Sequence, residues 1–289
     1  MTAAASVEVE PAVGTPGPAR KRRTRGPRSL GAGSGLALGI SLTWFSLLVL
    51  IPLSAIIITA ADGGWTAFWD TITSPQTAAA LRLTIGTAFL VTILNVFMGT
   101  ALAWVLVRDR FWGKSALDVV IDVPFALPTI VTGLVLLALY GPQSPIDVNV
   151  ANTRTAVFMA LAFVTLPFVV RTTQPVLEAL EQDVEEAAAS LGASRLVTFR
   201  RVILPALVPA ITAGAALSFA RAIGEYGSLV LLSGNLPNRT EVASVRMLSS
   251  LENGDQAAAA SVAAVLLVVA LAVIVGLDVL QRRVARHGE

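Results

Sequence analysis

The sequence contains no cysteine and only one histidine, His287, near its C-terminal end. These absences exclude thiol catalysis, disulfide bonds and a metal site built from His and Cys ligands. Charge is also scarce, because Asp, Glu, Lys and Arg make up 14% of the 289 residues, whereas soluble domains carry about 25%. The scarcity of charge argues against an ordinary soluble domain.

Hydrophobic residues make up 55% of the chain, and its mean hydropathy is +0.73. They cluster in runs near the ~20 residues that a helix needs to cross a bilayer, and the alternating pattern of a transmembrane barrel is absent. The sequence therefore predicts an all-α integral membrane protein with about six transmembrane helices. The predicted spans are 36–61, 81–107, 117–140, 155–175, 206–233 and 257–280.

Three regions follow from this pattern. Residues 1–35 are rich in Ala, Pro, Gly and Arg and are predicted to form a disordered basic tail. The transmembrane domain covers 36–284, with a charged loop at 178–205, and 285–289 form a C-terminal tail. A cleaved signal peptide is the alternative for the first apolar run, but that run is longer than the 7–15 residues typical of a signal sequence.

The Lys and Arg residues predict the orientation. Sixteen lie on one side of a six-span arrangement and four, Arg82, Arg154, Arg239 and Arg246, lie on the other. The positive-inside rule then places both termini and loop 178–205 in the cytoplasm. This placement also explains the pI of about 9.5 without a nucleic-acid partner.

Loop 178–205 has the pattern of a helix, a glycine turn and a second helix. Asp183 and Glu186 have the spacing of a capping box, Gly192 occupies the position of a left-handed C-terminal cap, and Ser194 can cap the second helix. Pro205 is expected to start the fifth span. One modest apolar face is predicted from Leu180, Val184, Ala187 and Leu191.

Two interpretations of this loop compete. It can rest on the membrane surface, which suits the basic pair Arg200-Arg201. Alternatively, a soluble partner docks on it, which better explains the acidic residues Glu181, Asp183, Glu185 and Glu186, because an anionic membrane repels them.

The loop resembles the coupling-loop signature of permease subunits of bacterial ABC importers. The resemblance is carried by Glu186, Ala187, Ala188, Gly192, Leu204 and Pro205 at the family spacing, with Val202 where isoleucine is usual. It implies that these six residues couple the chain to an ATPase. Four further segments resemble the T-type permease of sulfate/thiosulfate importers, with Tyr226 where the family usually has Phe: 124–129, 167–172, 224–227 and 239–242.

The resemblance covers about residues 36–284 and implies a MetI-like permease fold in the cytoplasmic membrane of a bacterium. The implied partners are two ABC ATPase subunits, a second permease subunit of the W type, an extracytoplasmic sulfate-binding protein and membrane lipid. ATP would be used by the ATPase subunits, so this chain would bind no cofactor and would not be an enzyme by itself. Molybdate permeases and the W-type sulfate permease share overlapping motifs, and a molybdate/tungstate importer permease remains the alternative.

Four residues are candidates for a translocation path. Arg221 and Glu225 are an ionisable pair inside an apolar span, four residues apart, and can pair either to line a path or to stabilise helix packing. Thr129 and Thr132 follow Pro124 and Pro128, which predict a kink. The threonine hydroxyls either bind an ion there or bond back to their own helix. Two acidic residues near the cytoplasmic end of that span, Asp118 and Asp122, are expected to lie at the interface or to pair with basic loop residues rather than to bind the ion.

Two other classes of function compete. A membrane-embedded enzyme would need a catalytic constellation, and the sequence has no HExxH motif, no Cys/His set and no intramembrane aspartate dyad. An ion-coupled secondary transporter would often show inverted repeats and intramembrane carboxylates, whereas only Glu225 lies deep in a span. Dependence of transport on an ATPase partner separates this last class from an importer subunit.

Overall fold

The computed structural model describes residues 32–180 and 182–286, and every regular element in this part of the chain is a helix. Contacts within the chain separate a first unit, which ends at Ile51, from a second unit that begins at Pro52. The helices are α1 (Ala32–Phe45), α2 (Ile51–Ala61), α3 (Gly64–Thr73), α4 (Pro75–Arg108), α5 (Lys114–Ala126), α6 (Thr129–Tyr140), α7 (Arg154–Ala179), α8 (Gln182–Ser190), α9 (Arg195–Thr198), α10 (Leu204–Ile223), α11 (Gly227–Leu232), α12 (Ala243–Glu252) and α13 (Gln256–Arg286).

Five continuous helical segments in the described part are long and apolar enough to cross a membrane. They are Ser34–Ala61, Pro75–Arg108, Arg154–Ala179, Arg195–Ile223 and Gln256–Arg283. The fourth predicted span continues past Arg171, as an arginine at a span end allows. Helices also enter both predicted tails, since α1 begins at Ala32 and α13 reaches Arg286; the remainder of each tail lies outside the described residues.

The third predicted span, 117–140, is interrupted, as its prolines predict. This stretch is divided into α5 and α6, whose axes differ in direction by 118°. The break falls at Leu127 and Pro128, where Leu127 takes an extended conformation with ψ 135°. A proline disfavours the helical conformation of the residue before it, and this effect explains the position of the break.

Polar contacts define the two ends of the helical bundle. At the α8 end, Arg108 at the close of α4 contacts Leu180 and Glu185. At the Arg154 end, where α7 begins, Arg154 Nε donates a hydrogen bond to the backbone oxygen of Arg239. Helices α4 and α7 therefore run in the same direction, and both end at the α8 end of the bundle.

The broken pair α5–α6 also connects the two ends. Arg171, near the α8 end of α7, bonds to Asp122 of α5. Tyr140, the last residue of α6, accepts a hydrogen bond from the amide of Val150, just before α7 begins at the Arg154 end. By length and composition, the described residues contain five candidate spans, or six if α5 and α6 are counted together as one broken span; the sequence predicts about six.

The fifth predicted span, 206–233, is wrong in its last third. Helix α10 ends at Ile223, and the short helix α11 begins only after Gly224, Glu225 and Tyr226. Apolar composition continues through both helices, so hydropathy does not reveal the break. The backbone amide of Ser228 in the first turn of α11 donates to the Glu225 carboxylate at 2.9 Å, which satisfies a donor that has no partner within the helix.

The core of the second unit forms where α4, α7 and α10 cross. A side chain added at Gly99 or Gly214 would meet Val169 of α7, with its Cβ 2.8 Å from Val169 Cβ or 2.9 Å from Val169 Cα respectively. Both glycines therefore permit the close helix approach that is common in membranes. The buried Asn95 amide donates to Thr165 Oγ1 at 2.8 Å and lies 3.5 Å from Ser218 Oγ, which links the three helices by polar contacts.

Candidate functional site

The loop between α7 and α10 folds as a helix, a turn and a helix, as predicted. Gly192 takes φ +82°, and the amide of Ala193 donates to the oxygen of Ala188 at 3.0 Å. This bond and the left-handed glycine form a Schellman cap at the end of α8. Ser194 Oγ then accepts from the amide of Val197 at 3.4 Å, which confirms its predicted capping role.

The predicted capping box at the start of α8 involves the side chain of Asp183, which lies outside the described residues. Helix α8 begins at Gln182, one residue before the predicted cap. The predicted contribution of Glu181 to an acidic cluster also falls outside the described residues.

The prediction that Pro205 starts the fifth span is wrong. The helix begins at Arg195, and its turn at Phe199–Ile203 is widened to a π-helix before it continues into α10. The amide of Leu204 accordingly donates to the oxygen of Phe199, five residues back. Pro205 has no amide hydrogen, and its ring would clash with the carbonyl four residues earlier in a regular turn. The widened turn therefore accommodates Leu204 and Pro205 inside the helix.

Helix α8 and the turn after it present polar and apolar side chains to solvent. Glu186 and Ala187 are exposed, and Ala188 is half-buried. Leu191 and Leu196 are 88% and 64% exposed. Leu180, which was predicted to share this apolar face, instead follows α7 and packs near Leu177 and Ile203, while the Val184 side chain lies outside the described residues. The exposed leucines are the type of surface that a partner protein covers.

The anchor of α8 is an ion pair that the sequence analysis missed. Arg108 Nη2 lies 2.6 Å from Glu185 Oε1 and donates to the oxygen of Leu180 at 3.1 Å. The Arg108 side chain is only 11% exposed, so this contact is better shielded than a surface ion pair. Glu185 therefore holds the loop in place, and the exposed Glu186 remains available to a partner. A cleft of about 660 Å³ adjoins the pair, lined among others by Trp104, Glu186, Arg195, Leu196 and Phe199.

The two charged path candidates form an ion pair in the structure. Arg221 Nη1 lies 2.5 Å from Glu225 Oε2, and the Glu225 side chain is 1% exposed, compared with 33% for Arg221. The other carboxylate oxygen of Glu225 accepts hydrogen bonds from the amide and the hydroxyl of Ser228. Both carboxylate oxygens of Glu225 thus have partners at the break between α10 and α11, whereas part of the Arg221 side chain remains exposed.

The two threonine candidates lie in the first turn of α6, beside the start of α11. A side chain at Gly227 would place its Cβ 2.8 Å from the amide nitrogen of Ile130, and one at Gly133 would place it 2.8 Å from the oxygen of Ser228. Both glycines therefore allow α6 and α11 to lie in close contact. Thr129 is half-buried, and Thr132 is 1% exposed with a buried hydroxyl that has no hydrogen-bond partner. A bond from Thr132 back to its own helix, one of the two predicted alternatives, is absent.

Asp118 and Asp122 pair with a basic residue, as the sequence predicts. Arg171 bonds both oxygens of Asp122 at 2.7 Å and one oxygen of Asp118 at 2.7 Å. It also donates to Gln174 Oε1 at 2.6 Å. This bidentate arrangement is strong and specific in geometry, and it fastens α5 to α7 close to the break before α6.

We expect Arg171→Met to lower the stability of the folded protein, because two carboxylates of α5 lose their common partner. Hydrogen bonds to charged groups contribute about 1.5–3 kcal/mol each, and a loss of about 2 kcal/mol is expected here because the cluster is partly exposed. Thermal unfolding of the purified protein in detergent measures the effect. Arg200→Met is the matched control, since Arg200 is an exposed arginine of the α8 loop region. Equal unfolding temperatures for both variants would contradict the fastening role.

Comparison with known proteins identifies a family match over two thirds of the chain. Residues 95–287 match the family "Binding-protein-dependent transport system inner membrane component". The chain is similar to the sulfate transport system permease protein CysT of Salmonella typhimurium, with 42% identity over 262 residues, covering 88% of this chain and 95% of the relative. It is also 42% identical to the CysT protein of Synechocystis over 250 residues, covering 84% and 87%.

Solved structures support the same fold. A bacterial alginate ABC transporter in complex with a periplasmic protein aligns with a TM-score of 0.72 and 17% identity, covering 87% of this chain and 94% of that chain. An amino acid ABC transporter aligns with a TM-score of 0.53 and 21% identity, covering 72% and 94%. At these identities the likeness concerns the fold alone.

Proposed function

Because the chain belongs to the family of inner-membrane components of binding-protein-dependent transport systems, we propose that it is the sulfate-translocating permease subunit of an ATP-driven importer. The observation that carries this proposal is its 42% identity to sulfate permeases along nearly the whole chain. It is a multi-pass inner-membrane component of an ABC transporter and not an enzyme. Thiosulfate, a near-tetrahedral dianion like sulfate, is included in the proposed substrate class.

The α8 region is the proposed contact with the ATPase. The capped turn at Gly192, the exposed Glu186 and Ala187, and the exposed Leu191 support this assignment. Arg108 and Glu185 fix α8 to the end of α4, so a displacement of α8 by a partner would be transmitted to a membrane-spanning helix. Leu204 and Pro205, in the helix that continues from the loop, link the same contact to α10.

The proposed complex contains two ATPase subunits that use ATP, a second permease subunit of the W type and an extracytoplasmic sulfate-binding protein. The α8 end of the bundle then faces the cytoplasm, together with both termini of the chain, and the Arg154 end faces outward. The excess of Lys and Arg near the α8 end supports this orientation.

Arg221 is the proposed contact with the permeating ion, and Glu225 positions it. Arg221 lies within an apolar helix, and a third of its side chain remains accessible. Thr129 and Thr132 are proposed to line the path at the adjacent break, where the partnerless Thr132 hydroxyl supports a polar function. One fixed positive charge attracts a dianion without holding it too tightly for release.

We expect reporter fusions to confirm this orientation. Fusions after Gln143 and Asn253 should report an external location, because they lie in loops at the Arg154 end. Fusions after Trp112 and Ser194 should report an internal location, since they lie in loops at the α8 end. The activity of an alkaline phosphatase reporter compared with a cytoplasmic reporter at each site measures this. An external signal at Ser194 would overturn the proposed contact with the ATPase.

Complementation tests the proposed substrate. A bacterial strain that lacks its own sulfate permeases should regain growth on sulfate as its only sulfur source when this chain is supplied with its W-type, ATPase and binding-protein partners. Omission of the ATPase should abolish the growth. Restored molybdate uptake without restored sulfate uptake would assign the chain to the oxyanion alternative instead.

A further inference from the structure

A second polar site lies at the Arg154 end of the bundle, away from both the α8 loop and the Arg221–Glu225 pair. It is a cleft of about 460 Å³ between the first turns of α4, the start of α7 and the loop that follows α11. Its polar side chains are those of Arg82, Thr87, Arg154 and Asn238, and no carboxylate lines it. The site therefore gathers two cations from separate helices without an anionic neighbour in its wall.

Neither arginine is neutralised within the described part of the chain. The ion pairs found there involve Arg108, Arg171, Arg221 and Arg282, and none includes Arg82 or Arg154. Arg154 uses its Nε to bond the oxygen of Arg239 at 3.1 Å, which orients the guanidinium while its two terminal nitrogens remain available. Two positive groups held on neighbouring helices repel each other, and a bound anion relieves this repulsion.

The loop that carries Asn238 is held in a fixed conformation. Asn238 and Asn235 take left-handed conformations with φ of 61° and 50°, and Thr240 Oγ1 accepts from the amide of Leu236. The nearest acidic residue along this loop, Glu241, is buried and accepts from the Gln76 amide group at 2.8 Å. The carboxylate on this loop therefore has a partner other than the arginines of the cleft.

We propose that this cleft binds a tetrahedral oxyanion, with the guanidinium groups of Arg82 and Arg154 and the amide of Asn238 as its donors. The inference rests on the proposed function in one respect, because it places a holding site for sulfate at the outward mouth of the permease. The volume exceeds that of a bare anion, since liquid water occupies about 30 Å³ per molecule, so the ion keeps part of its hydration shell. Such partial hydration makes binding weak and rapidly reversible, as a hand-over site requires.

The phosphate of a phospholipid is also a tetrahedral oxyanion, and the apolar wall of the cleft can contact the rest of the lipid. Leu83 and Leu90 extend along α4 below Arg82, and Leu90 is 58% exposed. Arginine side chains bind the phosphate of a headgroup with the same geometry as a free oxyanion. The test therefore has to separate a free oxyanion from a lipid headgroup as the source of the bound group.

Gly86 provides a reporter inside the cleft. It lines the wall, and a Cβ added there meets no atom within 4 Å. Because the chain has no cysteine, Gly86→Cys introduces a single thiol that an uncharged maleimide can modify, with the extent read on this subunit alone. The assembled transporter is placed in nanodiscs of zwitterionic lipid, without ATP, and the rate is measured with increasing sodium sulfate at constant ionic strength. Asn253→Cys, an exposed position outside the cleft, is the matched control.

We expect sulfate to slow the modification of Gly86→Cys and to leave Asn253→Cys unaffected, while chloride changes neither rate. Arg82→Gln or Arg154→Gln should raise the sulfate concentration for half protection about tenfold, because a charge-assisted hydrogen bond contributes at least that factor. Arg239→Gln should not, since the side chain of Arg239 does not line the cleft. Protection that appears instead only with phosphatidylglycerol, and that depends on the same two arginines, assigns the bound oxyanion to a lipid headgroup.

Rates that respond to neither sulfate nor anionic lipid overturn the proposal, as does protection that persists in the Arg82→Gln, Arg154→Gln double variant. This result is independent of transport, because no ATP is present. Protection without sulfate uptake would retain the site and reject the proposed function. Sulfate uptake without any protection would retain the proposed function and reject the site.

Discussion

Gly192→Val is expected to leave the protein in the membrane and to abolish sulfate uptake together with substrate-stimulated ATP hydrolysis. Gly192 closes α8 with φ +82°, a conformation that strongly disfavours a β-branched residue. Nothing lies within 4 Å of a Cβ at this position, so backbone strain is the only direct effect of the change. The helix that is proposed to contact the ATPase would lose its Schellman turn, and the movement of the ATPase would no longer reach α4 and α10.

A matched control exists at the opposite end of the molecule. Gly254 has φ +79° and is equally open, so Gly254→Val introduces the same type of strain between α12 and α13. It should retain ATP-coupled uptake. Gly192→Asn should retain most of it as well, because asparagine tolerates the left-handed region. Efficient uptake by Gly192→Val, or equal losses in the two valine variants, would contradict a coupling role for this turn.

A cysteine at Ser190 tests the contact itself. Ser190 is exposed at the end of α8, and the chain has no other thiol. Ser190→Cys should cross-link to a cysteine placed in the surface groove of the ATPase subunit, with a yield that changes when ATP is added. Leu36→Cys, at the start of the first predicted span, should give no product.

Glu225→Ala is expected to remove nearly all folded, active transporter. The substitution deprives the Ser228 amide and hydroxyl of their acceptor and leaves Arg221 without its counter-ion. Removing one partner of a buried ion pair costs about 3–5 kcal/mol, which is a large part of the 5–15 kcal/mol that separates folded from unfolded proteins. The amount of monodisperse protein after detergent extraction measures this loss, and Glu225→Gln, which keeps an acceptor for Ser228, should recover much of it.

The double variant Arg221→Gln, Glu225→Gln separates packing from transport. It removes both charges and keeps the hydrogen-bonding acceptor, so we expect normal extraction. If Arg221 contacts the ion, sulfate uptake in this variant should still fall about tenfold, the effect of one charge-assisted hydrogen bond. Wild-type uptake by the double variant would make the pair a purely structural contact between α10 and the break before α11.

The sequence predicted the spans well because their signal is local. Apolar runs of sufficient length predict the C-terminal end of α4 and the N-terminal ends of α7 and α13 to within one residue. The caps at Gly192 and Ser194 are likewise predicted from a few adjacent residues. Proline chemistry also indicated a kink near Pro128, although the local sequence does not determine its angle of 118°. That angle depends on α6 packing against α11, where Gly133 and Gly227 permit contact.

The features that the sequence did not predict depend on residues distant along the chain. Arg108 and Glu185 are 77 residues apart, and nothing in their local patterns identifies them as partners. The break at Gly224 lies within continuous apolar composition, and it becomes apparent only when Glu225 is seen to bond Ser228. The early start of the fifth span at Arg195 depends on a widened turn before Pro205, whereas sequence rules favour a proline at the beginning of a helix.

Uptake of radiolabelled sulfate by proteoliposomes is the decisive test of the proposed importer function. The chain is reconstituted with its W-type permease, ATPase and binding-protein partners, with ATP on the side of the α8 loop. We expect sulfate accumulation that requires ATP hydrolysis and the binding protein, is lost in Gly192→Val and is retained in Gly254→Val. Accumulation driven by an ion gradient without ATP, or ATP-driven accumulation of molybdate but not of sulfate, would contradict it.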